Sequence, residues 1–187
     1  KAIIRGKSQQ IGIFHVFETS TLIIRNVQLR DGASGQGGCL YVSGARVHMY
    51  NTIIAGNKAL QGGAIYMKDK ANVNITNCVF ENNSAVVNLW DGEAHGGAIY
   101  MEKDTNLLLK HSQLSFNKAK APKAAASGGA LHTLGTARID DCKFFKNRVE
   151  GLDLNYDGKY HSLSKKYNTV SLRKRLDIKP DLPVVLV

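Results

Sequence analysis

A parallel β-helix, an all-β solenoid of about five to six coils, is the fold this sequence predicts, on three observations. Gly–Gly pairs recur at 37–38, 62–63, 96–97 and 128–129, and each opens nearly the same string: GGCLYV, GGAIYM, GGAIYM and GGALHT. A second strand-like string follows each pair: RVHMYNTII, NVNITNCVF, NLLLKHSQL and ARIDDCKFF. Apolar and polar residues alternate within these strings, the period of a strand with one buried face, and no stretch before residue 150 shows helical periodicity. A unit this short, with two or three strands, cannot bury its apolar face alone, whereas stacked copies make a continuous core. A propeller blade needs roughly 40 residues or more, and helical repeats need amphipathic helices. Each copy therefore reads as one coil, with successive coils about 4.8 Å apart.

Along the chain, AIIRG from Ala2 begins one coil, and TLIIRNVQL from Thr21 is a copy without the Gly pair. The four Gly-pair copies follow, and aligned columns fall 25, 26, 34 and 30 residues apart. Leu22, Val47, Val73, Leu107 and Ala137 form one inward ladder; Ile24, Met49, Ile75, Leu109 and Ile139 form the next. A polar column (Asn26, Asn51, Asn77, His111, Asp141) and a small one (Val27, Thr52, Cys78, Ser112, Cys142) come after. The last column is Gly32, Asn57, Asn83, Asn117 and Asn147. Its asparagines are expected in left-handed backbone at a bend, with amides bonded from coil to coil. The Gly pairs mark a corner of unusual dihedrals or close backbone approach. In the strand after each pair, Ile65/Met67 and their equivalents point inward, leaving Tyr41, Tyr66, Tyr100 and His132 as an outward ladder. Cys78 and Cys142 share a column two coils apart, about 9–10 Å, beyond disulfide reach. With Cys39 they read as buried thiols.

The repeat stops near Glu150, so residues 1–150 form the solenoid and 151–187 a basic extension that caps it or docks on a neighbour. The chain has 187 residues, 43% apolar and 21% charged, ordinary for a globular protein. No apolar run approaches the roughly 18 residues of a transmembrane helix. The net charge of +10 is uneven: residues 102–187 hold 16 Lys and Arg against 9 acids. Such a tail suits an anionic partner, an acidic protein surface or glycan ahead of nucleic acid. Lys165, Lys166, Arg173, Lys174 and Arg175 are the candidates.

Two further sites stand out. Four-residue connections, Ala33–Gln36 and Lys58–Gln61, give way to twelve (Ser84–His95) and ten (Lys118–Ser127). These long loops leave one corner side by side and offer Trp90, Asp91, Glu93 and His95 beside Lys118, Lys120 and Lys123, a place for partner binding. Asp153, Asn155 and Asp157, followed by Gly158, match the first half of a calcium loop, but the twelfth position is Ser164, not Glu. Calcium is the only cofactor the sequence suggests.

The GGAI and GGAL strings, each after an Asn bend, pair with FxxN at Phe80–Asn83 and Phe144–Asn147, IxxN at Ile54–Asn57 and LxxN at Leu114–Asn117. Over residues 20–150 this pattern resembles the polymorphic outer membrane protein repeats. The resemblance implies a right-handed β-helix of the pectin-lyase-like superfamily. It also implies an extracellular or surface-exposed setting and a role in adhesion. The expected function is a non-enzymatic structural or interaction module, adhesin-like or a subunit of a large assembly with protein partners. The alternative is a polysaccharide-binding or polysaccharide-cleaving β-helix, which would need clustered carboxylates. Asp140–Asp141 falls in the bend column, and Glu93-Ala94-His95-Gly96 is not a GHG motif, so no catalytic residue is assigned.

Overall fold

The computed structural model describes residues 1–7, 11–88, 92–151, 170–172 and 184–186. Its strands pair in parallel from coil to coil around three faces. The first face holds Phe14–Val16, Leu40–Ser43, Ile65–Lys68, Ile99–Met101 and Leu131–Thr133. The second holds Thr21–Arg25, Arg46–Tyr50, Asn72–Thr76, Asn106–Lys110 and Thr136–Asp140. The third holds Ala2–Arg5, Val27–Arg30, Ile53–Ala55, Val79–Glu81, Gln113–Ser115 and Cys142–Phe145. Register follows the sequence columns: Val73 lies opposite Val47 and Leu107, and Ile75 opposite Met49 and Leu109. About four coils carry the complete pattern, slightly fewer than five to six. The turn around Thr21 lacks the Gly–Gly corner, and Ala2–Arg5 contributes a strand to one face only.

Period-two alternation becomes burial directly. Met49, Ile75 and Leu109 are fully buried, while their flanking neighbours sit half-exposed. The aliphatic ladders join Leu40, Ile65, Ile99 and Leu131 in one core running the length of the solenoid. Cys39, Cys78 and Cys142 lie in it as free thiols.

Both glycines of each corner lie too close to backbone to carry a side chain, and the first also takes a left-handed conformation. At the second corner Gly62 has φ +60°, a conformation side chains resist. Gly63 is needed for room, since a Cβ there would come within 2.6 Å of Ser84 N.

The buried asparagines form the expected ladder, with one correction. Asn57 donates Nδ2–H to Asn83 Oδ1 at 2.9 Å, Asn83 to Asn117 at 3.0 Å, and Asn117 to Asn147 at 3.0 Å. The left-handed residue is the one before, at Gly56, Asn82, Phe116 and Lys146, with φ from 54° to 66°. That twist turns the following Asn inward, where its amide replaces backbone partners. The other polar column, Asn26, Asn51, Asn77, His111 and Asp141, is left-handed throughout.

Two described tail segments add antiparallel strands to the last coil. Val170–Leu172 pairs with Cys142–Phe144, and Val184–Leu186 with Leu131–Thr133.

Candidate functional site

The connections between the third and first faces build a lateral blade. Lys58–Ala59, Ser84–Val86, Lys118–Ala121 and Arg148–Gly151 pair as a four-stranded sheet, and Ala94–His95 pairs with Ala126–Ser127 beside it. Ala85, Val87, Ala94, Ala121 and Ala124 pack between them as a second small core. The long connections thus form sheet at Ser84–Val86, Ala94–His95, Lys118–Ala121 and Ala126–Ser127. The step from four-residue to twelve-residue connections leaves a groove of about 650 Å³. Leu60 and Gln61 lie on its short side, Val87, Gly92 and Glu93 on its long side. Leu60 is 47% exposed on its short side.

Gln36, Gln61, His95 and Ser127 bridge in succession as one column, each the residue before a Gly pair. Across the glycines stands the aromatic ladder. Tyr41 and Tyr66 stack at 5.6 Å, Tyr66 and Tyr100 at 5.2 Å, Tyr100 and His132 at 5.3 Å. His95 crosses the corner to stack on Tyr100 at 5.8 Å and meets His132 at 4.6 Å. Tyr66, Tyr100 and His132 point away from the main core, yet all three are buried. Their faces are taken by one another, so the row presents ring edges, where stacking on a sugar requires a ring face.

Polar contacts tie the corner together. Glu93 Oε2 lies 2.9 Å from His95 Nε2, and Ser127 Oγ lies 2.6 Å from His95 Nδ1 and 2.7 Å from His132 Nδ1. Tyr66 donates its phenol to Glu102. Burial, with Glu102 second, pushes the Tyr66 phenol far up, and burial with the same carboxylate raises Tyr100. Burial, reinforced by His95, pushes His132 down to about 4.

The structure brings Glu93 and His95 to Ser127 and His132. Lys118 and Lys120 turn to Glu150 on the next coil, at 3.7 and 3.4 Å, because their strand pairs with Arg148–Gly151. Lys123 is exposed. Trp90, Asp91, Asp153, Asn155, Asp157, Lys165, Lys166, Arg173, Lys174 and Arg175 lie outside the described residues. Among the described residues no three His, Cys, Asp or Glu side chains converge on a metal position, and no helix is long and apolar enough to cross a membrane. Asp141 contacts His111 at 3.1 Å on the bend column, a structural position. Ser127 and Glu102 are site residues that the sequence does not mark, and His132 is marked there only as part of the outward aromatic ladder. The signal for Ser127 was its place in the column before the Gly pair.

With this geometry in place, the family model for the right handed beta helix region matches residues 11–173. The chain belongs to the right-handed β-helix family. No curated protein and no solved structure matches it. Membership of the right-handed β-helix family fixes the hand of the solenoid and leaves its function to the lateral surface.

Proposed function

We propose that the chain is an interaction module, a rigid β-helix whose lateral blade docks a protein partner, as in an adhesin or a subunit of a larger assembly. The observation that carries this reading is the groove at the step in connection length, with Leu60 exposed on its wall. An apolar side chain beside amide groups and a carboxylate offers one anchor for a partner to cover, within a polar rim, the usual plan of a protein-binding surface. The GGAI/FxxN resemblance to repeats of adhesive passenger domains supports the same reading, as does the basic tail. Glycan cleavage is less favoured: Glu93 is the one carboxylate lining the groove among the described residues, where glycosidases use two.

Peptides selected from a display library on the wild-type chain test this. Enriched peptides should bind Leu60→Asp at least tenfold more weakly, about 1.4 kcal/mol. They should bind Lys143→Ala, altered on an exposed part of the third face, as tightly as wild type. Saturable binding on a glycan panel that Tyr41→Ala abolishes, with no peptide dependent on Leu60, overturns the reading.

A further inference from the structure

The corner around Ser127 carries chemistry that docking does not require. A carboxylate can only accept hydrogen bonds, so Glu93 receives its 2.9 Å contact from His95 Nε2–H. In neutral His95 the Nδ1 lone pair then faces Ser127 Oγ at 2.6 Å and takes the hydroxyl hydrogen. A hydroxyl has one hydrogen to give. The 2.7 Å contact between Ser127 Oγ and His132 Nδ1 must therefore be His132 Nδ1–H donating to the oxygen. Burial leaves His132 neutral at pH 7, with one ring hydrogen available for this bond. The four side chains thus form a single directed relay in which the Ser127 proton points at a base. The fold does not demand these residues, since the two preceding coils place Gln36 and Gln61 in the same column.

We propose that Ser127 is an acylatable serine that takes the acyl group of a carboxylic ester, with His95 as its base and Glu93 as a positioning residue. Ser127 Oγ attacks the ester carbonyl carbon while its proton passes to His95 Nδ1. The Oγ–C bond forms, the bond from carbon to the leaving alkoxide breaks, and His95 returns the proton to that alkoxide. Water, deprotonated by His95, then releases the acid and restores the serine. Glu93 fixes the His95 tautomer and offsets charge on its ring. The His132 N–H steadies negative charge on Oγ as the proton leaves. This activity stands apart from the docking reading, and either can fail without the other.

The test uses p-nitrophenyl acetate with the full chain, following nitrophenolate release and locating the acetyl group by peptide mass spectrometry. The expected result is one acetyl group per chain, on Ser127, formed at least tenfold faster than any labelling of Ser127→Ala. His95→Gln installs the residue this column already carries twice, so it should keep the wild-type melting temperature while acylation falls at least tenfold. Glu93→Gln should lower the acylation rate constant severalfold and leave the apparent dissociation constant for the ester unchanged, a split that a purely structural contact does not produce. Acetylation spread over lysines with none on Ser127, an equal burst from Ser127→Ala, or wild-type rates in His95→Gln each overturns the proposal.

Discussion

Asn83 donates its amide to Asn117 across 3.0 Å although the two lie 34 residues apart in sequence. Asn83 Oδ1 also accepts from Asn57 N and Nδ2, at 3.1 and 2.9 Å, and its Nδ2 reaches Ile54 O at 2.9 Å. One fully buried side chain therefore satisfies groups on both neighbouring coils. Asn83→Leu keeps the volume and leaves several of those groups without partners. Each costs about 1–3 kcal/mol when buried, so a loss on the order of 4 kcal/mol is expected in denaturant unfolding. Asn77→Gly, in the exposed left-handed column, should change stability by less than about 1 kcal/mol, since glycine takes φ 54° freely. Equal losses from the two variants would contradict this division of labour between the asparagine columns.

Glycine substitutions should separate the corners from open surface. Gly62→Ala forces an L-residue to φ +60°, costing about 1–2 kcal/mol, and also sets its Cβ 2.2 Å from Ile65 O. Gly63→Ala sets its Cβ 2.2 Å from Gly97 O and 2.6 Å from Ser84 N, so both variants meet backbone that no side-chain rotation can clear and both should be clearly destabilising. Gly35→Ala meets nothing within 4 Å and should be neutral or slightly stabilising. Thermal melts of the three variants give the ranking.

His132 links stability to pH. It titrates near 4 in the fold, against 6.5 in an unfolded chain. Above pH 6.5 both states hold it neutral and it adds no slope. Between 6.5 and about 4 the unfolded chain binds the extra proton, so stability is lost as pH falls, by on the order of 3 kcal/mol at most. Below about 4 its contribution is lost and constant. His132→Gln should flatten this segment of the stability–pH curve, and an unchanged slope would assign it to other groups.

The tail should matter by two routes that can be told apart. Removing residues 152–187 strips the antiparallel strands from Cys142–Phe144 and Leu131–Thr133, leaving open edges that promote self-association. Changing Lys165, Lys166, Arg173, Lys174 and Arg175 to Gln should leave the melting temperature nearly unchanged. It should weaken any association that salt also weakens, as screening shortens from about 10 Å at 0.1 M to about 3 Å at 1 M. Light scattering of the truncation and salt titration of the Gln variant check the two.

Much of the solenoid was legible because stacking turns a column of letters into a ladder of contacts. Val47, Val73 and Leu107 align in the string and touch in space. The left-handed twist falls one residue before the asparagine column: Phe116 and Lys146 carry it, though neither side chain favours it. The need to bury the next Asn overrides local preference there. The Ser127 cluster was hidden for another reason. His95 and Ser127 share a column, but His132 belongs to a different one, and the two meet across the Gly–Gly corner. Periodicity reports neighbours along the axis and is silent on which columns face each other around a turn.

The placement of the thiols has a consequence for where the chain can work. Cys39, Cys78 and Cys142 are buried, and burial pushes the Cys39 thiol well up, with Cys78 and Cys142 raised as well. Few thiolates are offered to oxidants. Ser112 occupies the coil between Cys78 and Cys142, which holds their chains about two coil steps apart. Oxidising surroundings give these sulfurs no bond to close, and reducing ones give them none to lose. The packing of the solenoid therefore does not rest on a bond between Cys78 and Cys142.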